Sequence, residues 1–83
     1  MKNRLIIDVA ETGTKRWYLN DQLHRTDGPA VEWSDGNKEW WLNGLRHRTD
    51  GPAIEWVNGA KMWFLNGKEV DPIVHFVRRK EFV

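Results

Sequence analysis

Two identical stretches hold the residue types most able to do chemistry. His24-Arg25-Thr26-Asp27-Gly28-Pro29-Ala30 recurs letter for letter from His47 through Arg48 to Ala53. A histidine near an aspartate is the raw material of acid–base catalysis, and two histidines can share a metal ion. The duplication points elsewhere. An active site is needed once, whereas a structural joint is needed in every unit. Asp27-Gly28-Pro29 reads as a turn whose carboxylate takes backbone N–H groups, with Arg25 free to pair with Asp27 or Glu32. A zinc site fails on ligand count, because the chain has three histidines (His24, His47, His75), no cysteine and no close histidine pair. No serine or threonine sits in a nucleophile elbow, and no glycine-rich phosphate loop is present. The residues therefore imply a protein that is not an enzyme and needs no cofactor or metal.

A second constellation suits binding. Tyr18, Trp41 and Phe64 stand at equivalent positions, close to Lys15, Lys38, Lys61, Arg16 and Arg46. Aromatic rings interleaved with basic groups can stack the bases of a single-stranded nucleic acid. The same residue types are the ones enriched at protein-interface hot spots. Either the row is exposed for one of these purposes, or a C-terminal segment covers it through Ile73, Phe76 and Val77. If it is covered, binding moves to the loops carrying His24, Arg25, His47 and Arg48. A third use, capture of a small ligand or carbohydrate on a tryptophan face, is also open.

The elements that must position these residues follow from a 23-residue period. Trp17, Trp40 and Trp63 are separated by that interval, and so are Leu19, Leu42 and Leu65, then Asn20, Asn43 and Asn66. Internal self-similarity of this kind marks a stack of supersecondary units. Val31-Glu32-Trp33 and Ile54-Glu55-Trp56 alternate as half-buried strands do. Asp35-Gly36 and Asn58-Gly59 read as two-residue hairpin turns, and Asn43-Gly44 and Asn66-Gly67 as a second turn in each unit. Pro29 and Pro52 open strands, where a missing N–H does least harm. The fold class implied is mainly β, an antiparallel meander of hairpins with about six strands. The three identical tryptophans are expected to nest against one another as the core.

The ends depart from the period. Leu5, Ile7 and Val9 alternate one residue out of phase with later units, which predicts a capping edge strand within residues 1–14. The repeated core spans residues 15–70. Asp71-Pro72 is a helix start, an acidic cap followed by proline at the first helical position, and Ile73, Phe76 and Val77 share one helical face. Residues 71–83 read as a short helix, with a seventh strand as the alternative because Val74-His75-Phe76-Val77 also suits β structure.

The 83 residues make one domain near the lower limit of what a single core can hold together. Six tryptophans supply the apolar area that disulfides supply elsewhere. With 13 basic and 12 acidic side chains the formal net charge is +1, far from the basic excess of most nucleic-acid-binding domains. No apolar run approaches the length of a membrane span. The expectation is a soluble cytoplasmic protein.

The unit from Trp40-Trp41-Leu42-Asn43-Gly44 through His47-Arg48 to Asp50-Gly51-Pro52-Ala53 resembles MORN-type repeats. It is most similar to the variety found in proteins of bacteriophages and large DNA viruses. The resemblance covers residues 15 to about 70. It implies paired short strands and a scaffolding role, here a viral protein-interaction module acting in the host cytoplasm and binding or inhibiting a host protein. Lipid-headgroup binding belongs to part of that family, but His-Arg-x-Asp-Gly-Pro stands where the family has its glycine-centred spacing. Self-association through an open edge strand is compatible with every one of these readings.

Overall fold

Two kinds of turn alternate along the chain and set its architecture. At Asn20-Asp21, Asn43-Gly44 and Asn66-Gly67 both central residues are left-handed, with φ of 52° and 67°, 51° and 79°, 48° and 83°. These are the tight mirror-image turns whose twist matches that of a hairpin. At the other kind, only the glycine (Gly13, Gly36 or Gly59) has positive φ, at 96°, 102° and 93°. There Trp33 N–H donates to the carbonyl of Asn37 at 2.9 Å, and Gly36 N–H donates to the carbonyl of Trp33 at 2.9 Å. Ala10 to Thr14 and Trp56 to Ala60 repeat the pattern at the same distances. These are three-residue loops ending in a glycine bulge, not the two-residue turns that Asp35-Gly36 and Asn58-Gly59 suggest. Asp35 and Asn58 keep ordinary φ and use their carboxylate or amide oxygen two residues on, at the N–H groups of Asn37 (3.1 Å) and Ala60 (2.9 Å).

The computed structural model describes residues 3–82. Between the turns lie ten strands: β1 (Leu5–Val9), β2 (Lys15–Leu19), β3 (Gln22–Leu23), β4 (Val31–Glu32), β5 (Lys38–Glu39), β6 (Trp41–Leu42), β7 (Leu45–Arg46), β8 (Ile54–Glu55), β9 (Lys61–Leu65) and β10 (Lys68–Val70). Helix α1 (Pro72–Arg78) and a 3-10 turn (Arg79–Phe82) follow. The main sheet runs β1-β2-β4-β5-β8-β9-β10, with β3 paired to β2 and β6-β7 forming a separate two-stranded piece. Every pairing is antiparallel. The protein is thus mainly β with a short C-terminal helix, as the sequence implies. The strands number ten because each returning strand serves two partners. In β2, Lys15 and Arg16 pair with β4, whereas Tyr18 and Leu19 pair with β3.

The result is a slab of 38 × 37 × 17 Å, thin enough that only a narrow band of side chains leaves water. Ala30, Val31, Ala53, Ile54, Phe64 and Leu65 are its buried apolar residues. Trp40, Trp56 and Met62 pack around Ala53, Ile54 and Phe64.

The tryptophans do not nest against one another. β2 and β5 are separated by β4, and β5 and β9 by β8. Residues one period apart therefore lie two strand spacings apart, about 9–10 Å, beyond direct ring contact across neighbouring strands. Two of the three rings meet an arginine instead: the Arg25 guanidinium lies 3.9 Å from the Trp17 ring centre and that of Arg48 lies 3.8 Å from Trp40.

The C-terminal segment is helical. The Asp71 carboxylate accepts the Val74 N–H at 2.8 Å, and Pro72 opens the helix where its missing N–H has no consequence. Helix α1 packs against β9 and buries His75, while Ile73, Phe76 and Val77 point to solvent at 77%, 65% and 67% exposure. That apolar trio does not cover the Tyr18, Trp41 and Phe64 row. The segment reaches the second histidine loop instead. His75 Nε2 bonds the Arg48 carbonyl, and the Phe82 ring meets His47 edge-on with centres 5.5 Å apart.

Candidate binding surfaces

The duplicated loops are closed by their own arginines. Arg25 Nε donates to Asp27 at 2.9 Å, and its Nη1 donates to the Pro29 carbonyl at 3.1 Å and to Glu32 at 3.1 Å. Arg48 repeats the set with Asp50 at 2.8 Å, the Pro52 carbonyl at 3.1 Å and Glu55 at 2.9 Å. The guanidinium plane thus holds the loop at its edge and covers a tryptophan with its face. A Cβ at Gly51 would come within 2.9 Å of Arg48 Cζ, so the loop wraps closely around the side chain it binds.

The histidines serve a different joint. His24 Nδ1 accepts the Asn43 N–H at 3.0 Å, and His47 Nδ1 accepts the Asn66 N–H at 2.8 Å. With Nδ1 accepting, each neutral ring carries its proton on Nε2. Burial, together with the nearby His75, holds the His47 pKa below the usual histidine value. The Arg48 guanidinium beside Asp50 keeps that carboxyl below the usual carboxylate range, and Arg25 does the same for Asp27. Each aspartate is thus bound to an arginine and each loop histidine to a backbone N–H, and the histidine–aspartate pair that acid–base chemistry needs is not assembled. Among the described residues no three histidine, aspartate or glutamate side chains gather as metal ligands would. Between the two loops lies a groove of about 590 Å³, lined among others by Asp27, Trp40, Leu42, His47, Arg48 and Phe82.

The aromatic row is divided by burial. Phe64 is buried, while Tyr18 and Trp41 are half-buried. Glu39 sits beside the row with its side chain only 13% exposed. Its carboxylate accepts Trp33 Nε1–H at 2.7 Å, Trp41 Nε1–H at 3.0 Å and Arg46 Nη2–H at 3.3 Å. Arg46 in turn lies over the Trp41 ring at 4.9 Å and near Phe64 at 5.7 Å, and Arg16 lies over Trp33 at 5.2 Å. Arginine and glutamate of the chain itself, not the helix, fill the space beside these rings. Sequence reasoning passed over Glu39, though a signal was there: Arg16 and Met62 stand at its two equivalent positions, so this unit alone places an acid in that slot.

The lysines face the other side of the sheet in a charge ladder. Lys15 pairs with Glu32, Glu32 with Lys38, Lys38 with Glu55, and Glu55 with Lys61 across successive strands. Opposite charges directly across from each other support the sheet and cancel its long-range field.

Among the described residues, two rows of neighbouring apolar side chains stay open after these contacts are made, apart from single exposed residues such as Val57 and Leu45. One is the row Leu5, Ile7 and Val9 of β1, at 77%, 59% and 59% exposure. The other is the helix face Ile73, Phe76 and Val77, at the far end of the sheet. Comparison with family models, curated proteins and solved structures gives no match to this chain. Among the described residues no helix is long and apolar enough to cross a membrane.

Proposed function

We propose that this chain is a non-enzymatic protein-interaction module whose docking element is the outer face of α1. The observation that carries the reading is the exposure of Ile73, Phe76 and Val77 together on a helix that buries its opposite face. Their spacing is that of an amphipathic helix offered to an apolar groove. Small proteins that leave three large apolar side chains side by side in water generally use them. The partner class favoured is another protein, a host factor if the viral resemblance carries over.

The alternative, single-strand nucleic-acid binding on the aromatic–basic row, is less well supported. Arg25, Arg46 and Arg48 are each bonded to a carboxylate, and the lysines alternate with glutamates. Phosphate contact would require breaking those pairs.

The test compares the wild-type chain with Ile73→Ser/Phe76→Ser/Val77→Ser as bait in a host lysate, with circular dichroism to establish that both are folded. Proteins retained by the wild type and lost with the triple variant support the reading. Equal retention by both, or none by either, rejects it. Oligonucleotide binding that weakens steeply with salt would instead support the alternative.

A further inference from the structure

We infer that β1 is a self-pairing edge, and that two copies of this chain join through it into one continuous antiparallel sheet. The inference concerns the end of the slab remote from α1 and does not depend on the proposed docking helix.

The backbone hydrogen bonds at the two ends of β1 establish which of its residues face the open edge. Asn20 N–H donates to the Arg4 carbonyl at 2.8 Å, and Ala10 N–H donates to the Thr14 carbonyl at 2.9 Å. In the register that pairs Ile6 with Tyr18 and Asp8 with Arg16, the even-numbered residues spend their backbone groups on β2. In an antiparallel strand those groups alternate sides, so the N–H and C=O of Leu5, Ile7 and Val9 point away from β2. Among the described residues no strand lies on that side. The residues with open backbone groups carry the most exposed apolar side chains of the strand, with Ile6 on the other face at 37%. A long, apolar, unprotected edge is the arrangement that soluble proteins otherwise avoid.

One register pairs the whole apolar row, at the cost of setting Ile6 across from the second copy's Asp8. A two-fold axis at Ile7 sets Ile7 opposite its symmetry mate and Leu5 opposite the second copy's Val9. Each of these pairs can exchange two backbone hydrogen bonds. The apolar side chains of both copies then share one face as a single patch. On the other face, Arg4 lies diagonal to the second copy's Asp8, within reach of a long side chain, and the symmetry supplies that pair twice. Asp8 already has Arg16 at 3.9 Å, a loose contact that leaves carboxylate oxygen free. A slide of two residues moves the axis to Ile6, which sets Arg4 directly opposite Asp8 but leaves Val9 facing Asn3, or to Asp8, which sets that acid against its own mate; only the axis at Ile7 pairs the whole apolar row. The formal net charge of +1 opposes association only weakly. An edge-to-edge contact buries little area, so the dimer is expected to dissociate on dilution.

The chain lacks cysteine, which makes the register directly readable. Ile7→Cys places two sulfurs across the axis at a Cα separation of about 5.5 Å, within disulfide range, whereas Leu5→Cys leaves its own copies some 13 Å apart. Mild oxidation should cross-link Ile7→Cys as a covalent dimer and leave Leu5→Cys mainly monomeric. In sedimentation across a dilution series the wild type should pass from dimer to monomer. Ile7→Pro removes an N–H that β2 does not use, and Ile7→Lys sets like charges face to face. Either change should weaken dimerisation about tenfold or more. Equal cross-linking of the two cysteine variants overturns the inference, as does a wild type that is monomeric at every concentration. A ladder of ever larger species abolished by Ile73→Ser/Phe76→Ser/Val77→Ser would also overturn it, because it would mean head-to-tail contact between β1 and α1.

Discussion

Replacing Arg48 by alanine removes four contacts at once, and their sizes follow from the geometry. The guanidinium lies 3.8 Å from the Trp40 ring centre on a side chain only 19% exposed, which sets the cation–π contribution at about 1 kcal/mol. Loss of the bond to the Pro52 carbonyl costs about another 1 kcal/mol. The Glu55 pair, with the glutamate about a third exposed, adds about 1 kcal/mol, and the Asp50 pair adds little because that carboxylate is 82% exposed. The expected destabilisation is about 3 kcal/mol, or a fall of about 15 °C in Tm for a domain of this size. Urea and thermal unfolding followed by tryptophan fluorescence would measure it. Arg25→Ala offers an internal replicate, with the same bonds and a stacking distance of 3.9 Å. Arg48→Lys keeps the charge but neither the flat face nor the fork, and should recover less than half of the loss. A lysine variant as stable as the wild type would refute the reasoning, for it would reduce the loop's cohesion to net charge.

Further outcomes can be checked independently. His47 has a lowered pKa in the folded chain, so stability is fully present above the unfolded value near 6.5 and declines as pH falls below it. Urea midpoints at descending pH should show the decline, and His47→Asn, which keeps an acceptor for the Asn66 N–H, should flatten it. Glu39→Ala strands two indole N–H groups and a guanidinium beside the core and should cost about 2–3 kcal/mol by the same unfolding assay. Gly59→Ala meets open space at φ +93° and isolates backbone strain, of about 1–2 kcal/mol. Gly67→Ala adds a 3.1 Å approach to Leu45 at φ +83°, so its loss of stability should be the larger.

The parts of this fold that were legible from the sequence are those determined by neighbours along the chain. Asn43-Gly44 announces its turn because both residues tolerate positive φ, and Asp71-Pro72 announces its helix because the cap lies within one turn of the group it satisfies. The period of 23 was equally plain. What the period did not carry is where equivalent residues end up. Trp17 and Trp40 look like stacking partners in sequence, yet an intervening strand holds them apart and hands each ring to an arginine eight residues on. The placement of α1 was unreadable for a related reason. An amphipathic pattern says that Ile73, Phe76 and Val77 share a face but not whether that face meets protein or water. The decision falls to His75, whose bond to the Arg48 carbonyl joins residues 27 apart. Of the candidate site residues, Arg25, His47 and Arg48 proved to be joints within the chain, whereas Leu5, Ile7 and Val9 emerged as open only once the parity of β1 was known.

The histidine contacts tie each unit to its neighbours. His24 and His47 each grip the turn of the unit that follows, while His75 reaches back to the Arg48 carbonyl. Loosening the turn at Asn66 would leave His47 short of one donor while His24 and the turn at Asn43 keep their bond. Losing His24, by contrast, would release a turn that lies downstream of it. Damage at His24 or His47 should therefore be felt one unit further on.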